Sequence, residues 1–364
     1  MPDAIWIERN EQLAELAAAL AAQAWFGLDT EFMRERTFFP RLCLLQISAG
    51  QRIWCIDTLG GNHLQALVPA LMAPDTRKII HAARQDLEAI YLHSQCVIAP
   101  VFDTQIAAGF VGMKPQIGYA ELAQVLLGVT VPKGQTRSDW SRRPLSAAQV
   151  HYAAEDVLHL GDIADRLMQR LVALGREAWA QQDCQALSDS SLYEADPARA
   201  WERVRGLAQL QPHPRQRAQA LAIWREREAR GRDLPRSWIL SDTAIFDAAH
   251  INPGTRQELS HALHLPEDFP VALADGLLET LREASSHEPS DMAPGKDARP
   301  TPEQKLLLEK LSRRLDARAT ELGISAEILA PRAELKAIAQ GERDTACQRG
   351  WRRAVIGAEL LSML

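Results

Sequence analysis

The stretch Leu28-Asp29-Thr30-Glu31 constrains this chain more than any other. It closes an apolar run, Trp25-Phe26-Gly27-Leu28, that reads as a short buried strand. In an extended chain, residues two apart point to the same side. Asp29 and Glu31 therefore aim at one point in space while Thr30 faces away. Two carboxylates held that close repel each other unless they share a proton or bind a cation. Taken alone, the tripeptide also fits a strand ending in an acidic surface turn, so a functional site requires further carboxylates elsewhere.

The front of the chain is where such acids are in excess. Residues 1–200 carry 17 Lys and Arg against 23 Asp and Glu, within a chain of 364 residues and net charge −6. That length suggests two or three domains. Five cysteines (Cys43, Cys55, Cys96, Cys184, Cys347) are scattered without a Cys-x-x-Cys pair, which excludes a zinc ribbon or a redox dithiol. The apolar run Leu16 to Leu28 falls short of the ~20 residues a membrane span needs, and no apolar signal core opens the chain. A reduced, cytoplasmic protein is expected, and without a heptad seam a monomer.

Coarse periodicity orders the front part. A helical pattern from Asn10 presents Leu13, Leu16 and Leu20 on one face. After the acidic strand come Leu42–Ile47 and Arg52–Asp57, separated by a Gly-containing turn, hence a hairpin. A β-branched run, Lys78–His81, is followed by a helix from Ala83 to His93 and a last short strand, Val101–Asp103. Strands alternating with helices argue for a mixed sheet flanked by helices.

Two further acids fit a site at the sheet's carboxyl edge. Asp86 lies at the start of the helix that follows strand 78–81, where ligands gather in open α/β sheets. Asp156 lies in a helix whose start is marked by Ser146 and Gln149 as a capping box and by Leu145 and Val150 as a hydrophobic staple; its pattern runs to about Leu174. Tyr152 stands one turn before Asp156 on the same face, either as an ordinary buried pair or as an acid–water–phenol arrangement. Four carboxylates and a phenol suit a pair of hard divalent cations, Mg²⁺ first and Mn²⁺ second. Two such ions ~3.5–4 Å apart clamp the attacking and leaving oxygens of a phosphodiester. Neither a Gly-rich phosphate loop nor a Ser-centred nucleophile elbow is present, which leaves metal-aided hydrolysis.

Leu28-Asp29-Thr30-Glu31-Phe32, His81-x-x-x-x-Asp86-Leu87-Glu88, Arg137-Ser138-Asp139-Trp140 and Tyr152-x-x-x-Asp156 together resemble the motifs of the four-acid (DEDD) 3′→5′ exonucleases, most closely the bacterial ribonuclease D family. The resemblance implies a ribonuclease H-like fold, and release of 5′-mononucleotides from RNA 3′ ends, as in tRNA 3′ maturation and processing of structured RNA. It implies that Asp29 bridges two metal ions, that Glu31 and Asp156 complete the first, that Asp86 serves the second, and that Tyr152 orients the attacking water. His151 has the spacing of the family's histidine branch. On a regular helix, however, a +4 step returns to within ~40° of one face and +5 overshoots by ~140°, which favours Tyr152. Gln46 and His81 are candidates for the substrate groove. Glu35, Asp57, Glu88, Asp103, Asp139 and Glu155 read as solvated or structural acids.

Beyond about residue 205 the composition turns helical. The expected organisation is an exonuclease domain at 1–205, a helical domain at 206–284, a polar linker at 285–300 and a second, divergent helical domain at 301–364. Both helical domains resemble the HRDC (helicase and ribonuclease D C-terminal) module. The first does so through Arg217 to Trp224 and Pro235-x-x-x-Ile239-Leu240-Ser241-Asp242, the second through Pro302, Lys305-Leu306 and Ile328-Leu329-Ala330. Seven arginines between Arg215 and Arg236, with Arg215, Arg217 and Arg225 foremost, form a candidate RNA phosphate-binding face. The alternatives left open are a 3′→5′ DNA exonuclease and a non-catalytic nucleic-acid-binding protein.

Overall fold

The computed structural model describes residues 4–60, 64–132, 134–135, 138–194, 196–288 and 300–364; Arg137 and most of the 285–300 linker lie outside them. The described residues of 1–33, 40–193 and 300–364 form one compact unit, and those of 34–39 and 194–299 form another.

The first unit is built on six strands: β1 (Ala4–Ile7), β2 (Trp25–Met33), β3 (Arg41–Ala49), β4 (Arg52–Asp57), β5 (Arg77–Ile80) and β6 (Val101–Asp103), in spatial order β1-β4-β3-β2-β5-β6. The β2–β3–β4 meander is antiparallel, and β1, β5 and β6 add to it in parallel. β2 pairs with β5 only over Trp25, Phe26 and Gly27, so its distal half, with Asp29 and Glu31, is paired on the β3 side alone. A register shift between Glu31 and Phe32 ends that regular stretch. The protruding end of a central strand is thus left open for side chains arriving from helices on either face.

One face of the sheet packs against α1 (Asn10–Ala21), the short α2 (Val68–Met72) and α3 (Arg84–Ser94). Leu13, Leu16, Leu20, Leu87 and Ile90 join Phe26 and Leu28 in one core cluster there. The other face carries α6 (Ala147–Leu158) and α7 (Leu160–Ala173), with α4 (Thr104–Phe110), α5 (Tyr119–Leu127) and α8 (Glu177–Ala186) beside them. α6 begins where the sequence places it: Ser146 Oγ accepts from the Gln149 amide at 3.2 Å, and Gln149 Oε1 accepts from the Ser146 amide at 3.0 Å. The single helix expected to reach Leu174 is instead interrupted at His159 (φ −103°, ψ 6°). α7 comes close to the sheet because two positions lack a Cβ. One added at Gly161 would lie 2.1 Å from the Trp25 ring, and one at Gly27 would lie 3.1 Å from the Leu160 side chain as well as 2.4 Å from Ser48 Oγ of the neighbouring strand.

Residues 300–364 extend this second helical layer, through α14 (Pro302–Leu322), α15 (Ala326–Leu329), α16 (Arg332–Ala339) and a closing segment from Gly350 to Ser362. Leu311, Leu315, Ile338 and Trp351 belong to the same core cluster as Ile163, Leu167 and Leu171. Trp351 stacks on Trp179 at 4.7 Å between ring centres and meets Phe110 edge-on at 5.2 Å. Arg352 makes a two-pronged ion pair to Asp183, both contacts 2.7 Å, over the Trp351 face.

The second unit packs α9 (Pro212–Arg232), α10 (Arg236–Ile239), α11 (Asp242–Ile251), α12 (Arg256–Leu263) and α13 (Val271–Ser285) around Leu221, Ala222, Ile245, Leu259 and Leu277. Phe38, within the short 34–39 segment, packs with Ala229, Ile239 and Leu273, and the Phe38 and Phe39 amides both donate to Asp233 at 3.0 Å.

Trp351 is nearly fully buried, and removing a core aromatic of that size costs about 3–5 kcal/mol. Trp351→Ala is therefore expected to lower the urea midpoint of the first unit clearly. A midpoint indistinguishable from wild type would show that residues 300–364 do not contribute to that core.

Candidate metal centre and active site

A cavity of about 690 Å³ opens at the end of β2. Its lining includes Asp29, Thr30 and Glu31 from the strand, Asp86 from α3, Tyr119 from α5, and Tyr152 and Asp156 from α6. Residues more than 120 positions apart in sequence meet here because β2 protrudes between the two helical layers. Asp29, Glu31 and Asp156 each offer a carboxylate oxygen, and the three atoms lie within 4.8 Å of one another. Asp86 lines the same cavity from the opposite layer and is nearly buried.

Thr30 does face away from Asp29 and Glu31, but onto the layer that holds Asp86. Its hydroxyl donates to Asp86 Oδ1 at 2.5 Å. The residue expected to be a bystander thus orients the fourth acid. A second anchor fixes the start of α3. Asp103, expected only as a structural or solvated acid, is buried and accepts from the backbone amides of Ala82 (3.1 Å) and Ala83 (2.8 Å). It also caps α4 through Gln105 and Ile106. Ala82 sits at φ +57°, a left-handed conformation that costs an alanine energy and that the two Asp103 contacts hold in place.

Electrostatics are severe. Burial first, then the charges of Asp86, Asp156 and Glu31, push the Asp29 carboxyl well above its ordinary range. Glu31 is pushed up to about 9, by burial and then by Asp156 and Asp86. Burial raises Asp86 to about 7 against the opposing Thr30 hydrogen bond. Asp156 is raised to about 7 by burial, against a hydrogen bond from Tyr152. Four acids raised together do not all ionise near neutral pH unless positive charge enters among them. An all-oxygen donor set of this kind fits hard divalent cations such as Mg²⁺, and Asp29, Glu31 and Asp156 are the residues that would hold one.

Tyr152 is half-buried, lines the cavity and hydrogen-bonds Asp156. His151, one residue earlier, is not among the lining residues, and its Nε2 lies 3.9 Å from Glu155. Tyr152 and Asp156, four residues apart on α6, both line the cavity. His81 lines the cavity and is fully engaged: Nε2 donates to the Ile117 carbonyl at 3.0 Å and Nδ1 contacts Thr104 Oγ1 at 2.9 Å. Gln46 does not reach the cavity. It is fully buried opposite Asp29 in the β2–β3 register. Asp57 holds Arg143 in a two-pronged pair at 2.7 Å, away from the site.

The arginine face of α9 is largely occupied within its own unit. Arg225 is buried and donates to the Leu240 carbonyl at 3.0 Å and to Asp242 at 2.6 Å. Arg217 donates to the Ala249 carbonyl at 2.7 Å. Arg236 grips the buried Glu226 at 2.5 and 2.7 Å, and Arg232 pairs with Glu228 at 2.8 Å. Arg215 stands half-buried in the first turn. A count of charges along α9 does not distinguish cations used to fasten neighbouring helices from cations offered to a ligand.

Residues 4–172 match the family described as 3′-5′ exonuclease, and residues 215–267 match the HRDC domain. Ribonuclease D of Granulibacter bethesdensis is 34% identical over 100% of this chain and 93% of its own length. Ribonuclease D of Xanthomonas oryzae pv. oryzae is 36% identical over 99% and 98% respectively. The crystal structure of Escherichia coli RNase D, described as an exoribonuclease involved in structured RNA processing, superposes with a TM-score of 0.91 at 29% identity, covering 100% of this chain and 98% of that one. Full-length similarity of this degree, with the acids gathered at one strand end, makes this chain a member of the ribonuclease D family, a hydrolytic 3′→5′ exoribonuclease.

Proposed function

We propose that the cavity at the end of β2 is the catalytic centre, that it works with two divalent cations, Mg²⁺ foremost, and that it trims precursor tRNA and other structured RNA 3′ ends in the cytoplasm as a monomer. The observation that carries the reading is the convergence of Asp29, Glu31 and Asp156 within 4.8 Å beside Asp86. When bound, the cations would supply a water of lowered pKa and a counter-charge for the phosphorane, worth several kcal/mol. The chain's residues do the rest. Asp29, which feels the charges of Asp86, Asp156 and Glu31, would be shared by both ions. Glu31 and Asp156 would complete one set, and Asp86, steadied by Thr30, would serve the other.

Tyr152, anchored on Asp156, is the group proposed to orient the attacking water, in keeping with the tyrosine branch. Residues 301–364 are proposed as a second HRDC-like domain. They repeat the order of the first: a 21-residue helix with proline at its start (α9, α14), a four-residue helix (α10, α15), an extended cap at Leu240 and Ala330, and a third helix (α11, α16).

Asp29→Asn keeps size and packing while removing the shared charge. It is expected to fold normally and to lose about three decades of turnover on a labelled RNA in Mg²⁺, since several kcal/mol at ~1.4 kcal/mol per decade are forfeited. Near-wild-type turnover would remove the site. Tyr152→Phe is expected to lower kcat strongly while His151→Ala stays close to wild type. The reverse ranking, measured under single-turnover conditions, would assign the water-orienting role to the histidine.

A further inference from the structure

The helix that delivers Tyr152 and Asp156 to the cavity is broken one turn later by a side chain from a distant segment. In an unbroken helix the His159 amide would bond to the Glu155 carbonyl. The Tyr119 hydroxyl bridges that pair instead, donating to the Glu155 carbonyl at 2.8 Å and accepting from the His159 amide at 3.1 Å. A side chain inserted into the i→i−4 ladder is a recognised cause of a helix break, and the backbone at His159 departs from helical angles accordingly.

The break separates two demands that a straight helix cannot meet together. Upstream, the second half of α6 must bring Asp156 to Asp29 and Tyr152 to the cavity wall. Downstream, Leu160 and Gly161 must lie flat under Gly27 and Trp25, where there is no room for a Cβ. Tyr119 is itself held firmly. It is the first residue of α5, two positions after Ile117, whose carbonyl accepts from both His81 Nε2 and Gln105 Nε2 at 3.0 Å. Its ring meets His81 edge-on at 5.9 Å, and it lines the cavity. The segment between β6 and α5 is in this way coupled to the backbone adjoining Asp156.

We propose that Tyr119 is a positioning residue for the hydrolytic reaction: its hydroxyl sets the break after Asp156 and thereby brings Asp156 to Asp29 and Tyr152 to the cavity wall. The proposal rests on the reading of the β2 cavity as the catalytic centre.

Tyr119→Phe tests it, because the ring and its packing stay and only the bridging hydroxyl leaves. The full-length variant, wild type and Asp29→Asn are compared on one labelled RNA for kcat, KM, the Mg²⁺ concentration giving half activation, and thermal midpoint. A displacement of about 1 Å at a catalytic group can cost roughly 10²-fold. Tyr119→Phe is expected to lower kcat by about 10- to 100-fold and to raise the half-activating Mg²⁺ concentration. KM should stay within about twofold and the midpoint within a few degrees of wild type. Loss of packing alone would move the midpoint and leave kcat and Mg²⁺ demand unchanged at temperatures well below it. Wild-type kcat and Mg²⁺ demand in Tyr119→Phe overturn the proposal, as does a variant that fails to fold, which would make the hydroxyl a support of the fold. If Asp29→Asn is active, the catalytic-centre reading itself has failed. If Asp29→Asn is inactive and Tyr119→Phe is unimpaired, only the role of Tyr119 has.

Discussion

The crowding of four partly or nearly buried carboxylates into one cavity is the constraint on which the rest of this structure depends. Asp29, Glu31, Asp86 and Asp156 share one cavity, and each has its proton affinity raised first by burial; the charges of the other acids add to this at Asp29 and Glu31, while hydrogen bonds from Thr30 and Tyr152 oppose it at Asp86 and Asp156. Raised folded-state values mean that, without a cation, these groups favour the fold most below their unfolded values near 4. That contribution is withdrawn as pH rises through about 7 for Asp86 and Asp156 and about 9 for Glu31. A divalent cation reverses the sign, because it binds the ionised forms. The fold therefore holds an unfavourable charge arrangement that is resolved by the ligand its chemistry requires.

Such an arrangement needs rigid supports, and they come from backbone-directed side chains. Asp103 ties down the turn before α3 through two amides, and Thr30 steadies Asp86 directly. The Ser146–Gln149 capping box fixes where α6 begins, and the Tyr119 bridge coincides with where it ends. The flanking layer is thickened by residues 300–364, whose Trp351 and Arg352 fasten onto Trp179 and Asp183.

Much of this was legible in the sequence, for physical reasons that can be named. The apolar run ending at Leu28 reads as a buried strand, and period two put Asp29 and Glu31 on one side. Ser146 with Gln149 fixed the register of α6, from which the facing of Tyr152 followed. Other features were not legible. Periodicity carried the helix through His159, because a hydroxyl arriving from Tyr119 leaves no mark on local pattern. Alternation correctly turned Thr30 away from its neighbours but could not say that Asp86 waits on that side. The arginines between 215 and 236 read as one basic face, yet Arg225 of α9 and Arg236 of α10 are spent on Asp242 and Glu226, tertiary partners beyond the reach of helical spacing rules.

As a metal centre, the β2 cavity would have its crowded acids give up protons on taking up divalent cations. Calorimetric titration of the metal-free protein with Mg²⁺ or Mn²⁺ near pH 7, repeated in buffers of different ionisation enthalpy, counts the protons released on binding. The account predicts saturable binding with net proton release that is lost in Asp29→Asn. Binding without proton release, or binding unchanged in Asp29→Asn, would contradict it.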